Sequence, residues 1–243
     1  IKDHSLNAAH HVVEIASNDG YLLQFFKKYG IPVTGIEPAS SVAKIARERH
    51  GIPTLERFFG AEEAQRLCHE IGQADIILAN NVLAHVPDLF DFIVGVKRLL
   101  KKYGVAIFEF PHLLKLLEGA QFDTIYHEHI SFYNINSMNE LCKRSGMYLI
   151  DVVKCPLHGN SYIFVISKNR NIARPANIEN HIVMECKAGI LTEKTYIDYA
   201  KNCVTITQKL VDTIRACKAV DRSVKFVGYG AAAKGMTLLN YAK

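Results

Sequence analysis

The sequence predicts a doubly wound α/β fold, in which helices cover both faces of a largely parallel sheet. An apolar strand at residues 11–15 leads into the turn SNDG at residues 17–20. The segment YLLQFFKKYG that follows has apolar residues at helical spacing, and residues 31–36 form a second apolar strand. Strand, turn, helix and strand in this order are typical of a crossover unit, the building block of such folds.

The same alternation continues along the first part of the chain. Residues 40–50 predict a helix that turns Val42, Ile45 and Ala46 towards the core, and residues 89–100 predict a second amphipathic helix. Three further apolar runs predict strands, at residues 52–55, 74–79 (ADIILA) and 105–110 (VAIFEF). We expect these elements to belong to one large domain over residues 1–168.

The last part of the chain is predicted to be organised differently. Residues 178–218 have apolar residues at three- and four-residue spacing, which indicates a long helix packed on the first domain or on a second copy of the chain. Residues 224–227 (VKFV) and the turn GYGAAAKG predict the first strand and turn of a second Rossmann-like domain. We therefore expect a helical connector and the truncated start of this domain over residues 169–243.

Composition and charge narrow the class of protein. With 243 residues, of which 49% are hydrophobic, the chain can bury a full core. Its formal charge of +5 comes from 29 basic and 24 acidic residues spread along the sequence, which argues against a nucleic-acid surface and suits an anionic small substrate. The six cysteines form no CxxC pair, and no segment is apolar long enough to span a bilayer. We expect a cytoplasmic protein with free thiols, no metal site, and no membrane or nucleic-acid partner.

Acidic residues around the first turn indicate the charge of the ligand. Glu14 lies on the first strand and Asp19 in the turn, where a dinucleotide-binding protein would have GxGxxG. These carboxylates would repel a pyrophosphate but accept a cationic or zwitterionic ligand such as S-adenosylmethionine. Glu37, at the end of the second strand, lies where doubly wound folds bind ribose hydroxyl groups. The alternative is a generic α/β turn with acids that face solvent.

Polar residues also follow the strand at residues 74–79. The segment NNVLAHVPD contains Asn80, Asn81 and His85. Because ligands of open α/β sheets bind outside the carboxyl ends of the strands, these side chains are expected at the same edge as Asp19 and Glu37. Considered alone, His85 would more often be a capped core histidine.

The segment QFDTIYHEHISFY at residues 121–133 concentrates titratable groups. It contains Tyr126, Glu128 and His129 within four residues. The unperturbed pKa of histidine is close to neutral, and a carboxylate beside it can hold one tautomer or raise its basicity. The pattern therefore indicates a catalytic site. A polar turn with satisfied hydrogen bonds, or a metal-binding His-x-His pair, are the alternatives.

Six separated blocks in a fixed order give the sequence a family resemblance. They are EIASNDGYLL, GIEP, ADIILANNVLAHVPD, FEFP, QFDTIYHEHISFYN and GYGAAAKGMTLLNY, and they span nearly the whole chain. The chain resembles the sugar C-methyltransferases, which use S-adenosylmethionine to methylate carbon 3 of nucleotide-linked 4-keto-deoxy sugars. The resemblance implies a Rossmann-like class I methyltransferase domain, a role in deoxysugar biosynthesis and a nucleotide-linked sugar substrate. We expect a monomer or a homodimer.

The resemblance and the residue patterns together imply a role for each matching position. His129 would be the general base beside the reacting carbon, with Tyr126 and His85 as hydrogen-bond donors. The predicted catalytic group is His129, Tyr126, Glu128 and His85. The predicted cofactor-binding group is Glu14, Ser17, Asn18, Asp19, Gly20, Glu37 and Asn80. The predicted substrate-binding group is Asn81, His85, Tyr126 and Lys234, the last on a phosphate of the sugar nucleotide.

The sequence departs from the family pattern at its start, at its end and at one internal site. Family members usually begin with a small cysteine-rich zinc module, whereas this chain starts almost at the first strand and stops early in the second domain. We expect a fragment, with zinc only in the missing module. At residues 158–163 the family usually has HGGSLR, and Asn160, Tyr162 and Ile163 replace its glycine, leucine and arginine, which alters an anionic contact.

Three other functions remain open from the sequence. The chain could methylate another small ketone or acid, which a requirement for a nucleotide-linked sugar would exclude. It could be a non-catalytic module that binds cofactor or sugar, although His129 and Tyr126 are intact. A nicotinamide-dependent oxidoreductase is the third, and Glu14 and Asp19 at the turn disfavour it.

Overall fold

Seven strands form one sheet within the part of the chain that the computed structural model describes, residues 6–156, 160–172, 176–230 and 232–242. Their side chains are mostly apolar, and the strands at the centre of the sheet are buried on both faces. The strands are β1 (Val12–Ile15), β2 (Val33–Ile36), β3 (Thr54–Leu55), β4 (Ala74–Asn80), β5 (Leu100–Pro111), β6 (Tyr148–Cys155) and β7 (Ser161–Ser167).

The order of the strands confirms the doubly wound α/β prediction. Across the sheet they run β3-β2-β1-β4-β5-β7-β6, and β7 is antiparallel to both of its neighbours while β1 to β5 are parallel. The direction of winding reverses between β1 and β4. Such a switch point opens a crevice at the carboxyl ends of the two strands, where open α/β sheets bind their ligands.

Helices flank the sheet and continue beyond it. They are α1 (Leu23–Lys28), α2 (Ser40–His50), α3 (Ala61–Glu70), α4 (Leu89–Leu99), α5 (Leu113–Glu118), α6 (Ile135–Ser145), α7 (Ala176–Lys187), α8 (Glu193–Val220) and α9 (Ala233–Tyr241). Two single turns of 3-10 helix, Leu83–His85 and Phe122–Thr124, lie near the carboxyl edge of the sheet. No helix within the described residues is long and apolar enough to cross a membrane.

Helix-capping residues determine where the chain enters and leaves this edge. Asp88 caps α4 by accepting a hydrogen bond from the Asp91 amide at 2.9 Å. Asn134 and Ser137 form a reciprocal capping box at the start of α6. These caps begin α4 and α6 directly after the two polar segments of the predicted site, so each segment is held at one end by a helix.

The core lies on both faces of the sheet. Phe92, Phe108 and Phe110 are fully buried with β7 on the face that α4 and α6 cover, and the Phe110 ring stacks on Phe164 at 4.4 Å between centroids. On the other face, smaller side chains such as Leu23 and Ile52 pack against β1 and β4. A core on both faces makes the sheet a rigid support for residues at its edge.

Three predicted elements differ from the structure, and β6, β7, α3 and α6 had no counterpart in the prediction. Residues 224–227 are not a strand, because no strand among the described residues pairs with them, and Val227 is exposed. The predicted helix at residues 178–218 is two helices, α7 and α8. Ile45 is exposed, since Ala43 and Ala46 form the face of α2 that packs on the sheet. The domain boundary at residue 168 stays a prediction.

Candidate active site

The turn after β1 has an unusual backbone. Ala16, Asn18 and Gly20 have φ angles of +55°, +52° and +80°, so every second residue lies in the left-handed region. A Cβ at Gly20 would lie 2.9 Å from Cγ1 of Ile52, so glycine is also required there by close packing. The alternation turns the chain sharply at the switch point and leaves the hydroxyl of Ser17 buried without a hydrogen-bond partner.

Glu37 joins this turn to the end of β2. Its side chain is buried, and its two oxygens accept hydrogen bonds from the amides of Asn18 at 3.0 Å and Ala39 at 2.9 Å. Asp19 caps the turn by accepting a bond from the Tyr21 amide at 3.1 Å. The structure therefore places the predicted residues Asn18, Asp19 and Glu37 together at one edge of the crevice.

Glu14 is a buried carboxyl with an incomplete set of partners. It is 1% exposed, and its Oε2 atom has no hydrogen-bond partner. Burial, and secondarily the charge of Asp19, raise the pKa of Glu14 to about 8. An unpaired buried carboxyl oxygen is costly, which indicates a site that a donor group of a ligand would complete.

Two residues absent from the predicted site lie beside Glu14. The strand register places Glu14, Asn80 and Glu109 on one face of the sheet, and Oε1 of Glu109 is also buried without a partner. The hydroxyl of Tyr21 bonds to Asn80, and burial followed by the charge of Glu14 raises its pKa. The sequence signal for Glu109 was a carboxyl inside an apolar strand, as at Glu14. Tyr21 carried no such signal.

His129 has a defined tautomer. Its Nδ1 atom lies 2.8 Å from the carbonyl oxygen of Thr124, and a carbonyl can only accept, so Nδ1 carries the proton. In the neutral ring Nε2 then has the free lone pair. The hydroxyl of Tyr126 lies 3.2 Å from Nε2 and can donate to it, with the two ring centroids 4.3 Å apart. The pair thus combines an imidazole base, His129, with a phenol hydroxyl that can donate a hydrogen bond to its basic Nε2 atom.

His85 packs edge-on against His129, with ring centroids 4.8 Å apart. Although His85 is an exposed residue, desolvation where it packs on the chain lowers its pKa, and the neighbouring His129 lowers it further. The alternative of a core histidine is therefore wrong. The 3-10 turn that carries His85 also accepts two bonds from the catalytic segment, from the Ile130 amide to Ala84 at 2.9 Å and from the Tyr133 hydroxyl to Leu83 at 2.9 Å.

A cavity of about 290 Å³ lies in front of the His129–Tyr126 pair. Its wall combines aromatic rings with a few polar groups, a mixture that is typical of small-molecule sites. The lining residues are Asn81, Ala84, Phe110, Pro111, Thr124, Tyr126, His129, Ser131, Phe132, Tyr133 and Lys234. Asn81 has a φ of +56°, and its amide bonds to the Glu109 carbonyl at 2.6 Å. The structure thus brings four predicted residues to one cavity.

Lys234 reaches this cavity from α9. The Phe122 and Tyr241 rings pack with centroids 5.0 Å apart and hold α9 against the 3-10 turn Phe122–Thr124. Glu128 is placed differently: its side chain is 57% exposed, 3.8 Å from His127, and does not line the cavity. Glu128 therefore contributes charge near the site rather than a direct contact in this arrangement.

A second, mostly apolar cavity of about 320 Å³ adjoins the turn after β2. His85 is one of its wall residues and does not line the first cavity, so the structure separates it from the other predicted substrate-binding residues. Its lining residues are Ile15, Ala16, Ile36, Pro38, Arg57, Phe58, Phe59, Val82, His85, Val86, Pro87 and Phe92. Phe58 on its wall is 84% exposed, and a flat apolar ring bound in the cavity would cover it.

The departure from the family pattern at residues 158–163 is only partly within the described residues. His158 and Gly159 lie outside them. Asn160 has a φ of +71°, and Tyr162 and Ile163 lie in β7 opposite Phe110 and Glu109 of β5. The ring of Tyr162 packs 4.3 Å from that of His112, so it replaces the expected leucine with an aromatic contact.

Comparison with known proteins identifies two families along the chain. Residues 4–152 match the family described as methyltransferase domain, and residues 156–243 match the family described as C-methyltransferase C-terminal domain. C-methyltransferase NovU of Streptomyces niveus is 33% identical over 230 residues, which are 94% of this chain and 54% of NovU. The chain therefore spans about half the length of this relative. A ubiquinone biosynthesis O-methyltransferase of Coxiella burnetii is 23% identical over 67% of this chain and 74% of its own length.

Solved structures share the fold at low sequence identity. Magnesium protoporphyrin IX methyltransferase of Synechocystis, determined with bound S-adenosylhomocysteine, matches 69% of this chain and 78% of its own, with a TM-score of 0.54 and 13% identity. A SAM-dependent methyltransferase of Aquifex aeolicus matches 68% of this chain and 85% of its own, with a TM-score of 0.51 and 13% identity. With the two family matches and the relative NovU, the chain belongs to the family of S-adenosylmethionine-dependent C-methyltransferases.

Proposed function

We propose that this chain binds S-adenosylmethionine in the crevice between β1 and β4. The buried oxygens of Glu14 and Glu109 that lack partners support this, because the cofactor carries an ammonium group that can donate to them. Glu37 offers acceptor oxygens for ribose hydroxyl groups, and the apolar cavity beside Pro38 suits the adenine ring. Ser17, Asn18, Asp19, Gly20 and Asn80 complete the crevice. When bound, the cofactor supplies an electrophilic methyl group.

The reaction that we propose is methylation of a carbon next to a ketone. A proton on such a carbon is removed only by a well-placed base, and the charge that develops on the keto oxygen needs hydrogen-bond donors. Nε2 of His129 is the candidate base, since the Thr124 carbonyl holds the proton on Nδ1. This fixed tautomer is the observation that carries the proposal. His129 also lines the cavity in which a ketone can be held.

Tyr126 has two successive roles in this scheme. In the free chain its hydroxyl can donate to Nε2 of His129, and this bond must open before Nε2 can accept a proton from the substrate. The freed hydroxyl can then donate to the keto oxygen, where negative charge develops. His85 stays neutral over a wider pH range because its pKa is lowered, so it adds a polar edge without a charge that would compete for the base.

The substrate class that we propose is a nucleotide-linked 4-keto-deoxy sugar. Lys234 lines the same cavity as His129 and provides a positive charge for a phosphate group, while Asn81 provides an amide for a sugar hydroxyl or carbonyl. The formal charge of +5 favours an anionic substrate in general. Methylation of a simple ketone or a small acid is the second candidate, because the aromatic wall of the cavity would accept it equally well.

Proton exchange in the full-length enzyme tests the base without requiring methyl transfer. The nucleotide-linked keto sugar is incubated with enzyme and S-adenosylhomocysteine in D₂O, and deuterium uptake next to the ketone is measured by mass spectrometry. We expect uptake with the wild type and with His127→Ala, whose ring is exposed, and a rate at least about 100-fold lower with His129→Ala. Equal uptake in the two variants would exclude His129 as the base. Uptake into a simple ketone at the same rate would favour the second candidate.

A further inference from the structure

The segment that carries His129 leaves the sheet and returns at one place. We define residues 112–134 as the active-site excursion; it begins after β5 and ends at the N-cap of α6. Its two ends lie side by side, because His112 pairs with Tyr133 and the Leu113 amide donates to the Tyr133 carbonyl at 2.7 Å. Because these backbone contacts alone, among the described residues, join the two ends by the main chain, the conformation of this long excursion depends on the side chains that hold its ends.

We propose that Glu185 is a positioning residue that holds both ends of the active-site excursion and thereby the His129–Tyr126 pair. Its Oε1 atom lies 2.6 Å from Nε2 of His112, at the first end, and accepts a bond from the Ile135 amide at 2.7 Å, just past the second. Its Oε2 atom accepts a bond from the Asn136 amide at 3.1 Å. One carboxyl group on α7 thus contacts both sides of the closure. The proposal rests on the function proposed above.

The bonds of Glu185 complete the cap of α6. The first amides of a helix lack partners within the helix, and the dipole favours a negative group beside them. Asn134 accepts only from the third amide, that of Ser137 at 2.7 Å, so the first two are left to Glu185. Without the carboxyl, these amides and the buried His112 ring would lose their acceptor.

Burial excludes water from the contact between Glu185 and His112. Glu185 is 1% exposed and His112 is 2% exposed, and the Tyr162 ring covers His112 at 4.3 Å. Water therefore cannot replace the carboxyl oxygens without opening the packing of α7 on α6. The residue lies in the part of the chain that matches the C-methyltransferase C-terminal domain, whereas the excursion lies in the part that matches the methyltransferase domain. Through Glu185, the catalytic geometry in the methyltransferase part of the chain depends on the part that matches the C-terminal domain.

Hydrogen exchange of the whole chain tests the proposal without substrate or cofactor. Glu185→Ala is compared with Glu193→Ala, which removes an exposed carboxyl at the start of α8. We expect amides of residues 121–133 to exchange at least about ten-fold faster in Glu185→Ala, and those of β2 and α2 to keep their wild-type rates. Equal acceleration in both regions would indicate only a loss of global stability and would overturn the proposal, as would no acceleration in either.

The ring of His129 provides a second readout, which a general structural role would not change. Nitrogen-15 NMR of the wild type should show Nδ1 protonated, and Glu185→Ala should show a mixture of tautomers while binding S-adenosylmethionine with unchanged affinity. Glu185→Gln keeps one accepting oxygen, should give an intermediate result, and is the variant to use if Glu185→Ala does not fold. The proposal would be refuted if Glu185→Gln showed the same single tautomer of His129 as the wild type and if no region of the variant exchanged faster. Failure of wild-type methylation would instead count against the proposed function.

Discussion

Replacing Glu14 by glutamine should remove a large part of the pH dependence of stability. Glu14 is buried at the end of β1 with one oxygen unpaired, and its pKa is about 8 instead of 4.5. The raised pKa means that the folded chain holds a proton on Glu14 in a range where the unfolded chain has lost it. The stabilising contribution is complete below about pH 4.5 and is lost as the pH rises through 8.

The size of the effect follows from the two pKa values. A rise from 4.5 to about 8, at 1.36 kcal/mol for each pH unit, corresponds to about 5 kcal/mol of unfolding free energy. Because Glu14 is 1% exposed, solvent screening reduces this value little. Glutamine does not titrate, so its own cost of burial is the same at every pH. The stability of Glu14→Gln relative to the wild type should therefore increase by up to about 5 kcal/mol between pH 4.5 and pH 9.

Urea unfolding at a series of pH values from 5 to 9 measures this difference. Glu48→Gln on α2 is the matched control, since it makes the same chemical change at a side chain that is 68% exposed. If the difference for Glu14→Gln stayed constant within about 1 kcal/mol, the burial and unpaired state of this carboxyl would not govern its titration. The reasoning from the crevice to a cationic ligand would then lose its main support.

Three further predictions concern the residues around the crevice and the cavity. Glu37→Ala should weaken S-adenosylmethionine binding at least about ten-fold in calorimetric titration, because both carboxyl oxygens are lost, whereas the exposed Glu48→Ala should not. Tyr126→Phe should lower kcat about 10- to 100-fold with unchanged cofactor affinity in the full-length enzyme, and an unchanged kcat would contradict its donor role. Lys234→Gln should raise KM for the sugar nucleotide with little change in kcat, and high salt should reduce the difference between variant and wild type.

The regular part of the fold was predictable because its signals are local. Alternation of apolar runs and turns predicted β1, β2, β4 and β5, and the position of Glu37 directly after β2 predicted its place at the edge of the sheet. The strand at residues 224–227 was wrong for a reason that local sequence does not contain. A strand forms only when another strand supplies the hydrogen bonds, and the described residues provide none there.

The site was predictable in its members more than in their arrangement. His129, Tyr126 and Asn81 line one cavity as a group, in agreement with their common position after the strands. Glu109 was not predicted, because its place on the same face of the sheet as Glu14 depends on the register of β1, β4 and β5. Tyr21 follows the turn after β1 and was not predicted because nothing in the local sequence marked it. The assignment of every site residue to cofactor or substrate stays a prediction.

The position of Lys234 on the cavity wall has a consequence for the synthesis of the protein. His129 and Lys234 face one cavity although about 100 residues separate them in the sequence. At roughly 5 to 20 residues per second, the ribosome adds the lysine about 5 to 20 s after the histidine. A nascent chain can therefore form the sheet and the His129–Tyr126 pair first, whereas its cavity gains the cationic group only when α9 has left the ribosome and packed against Phe122.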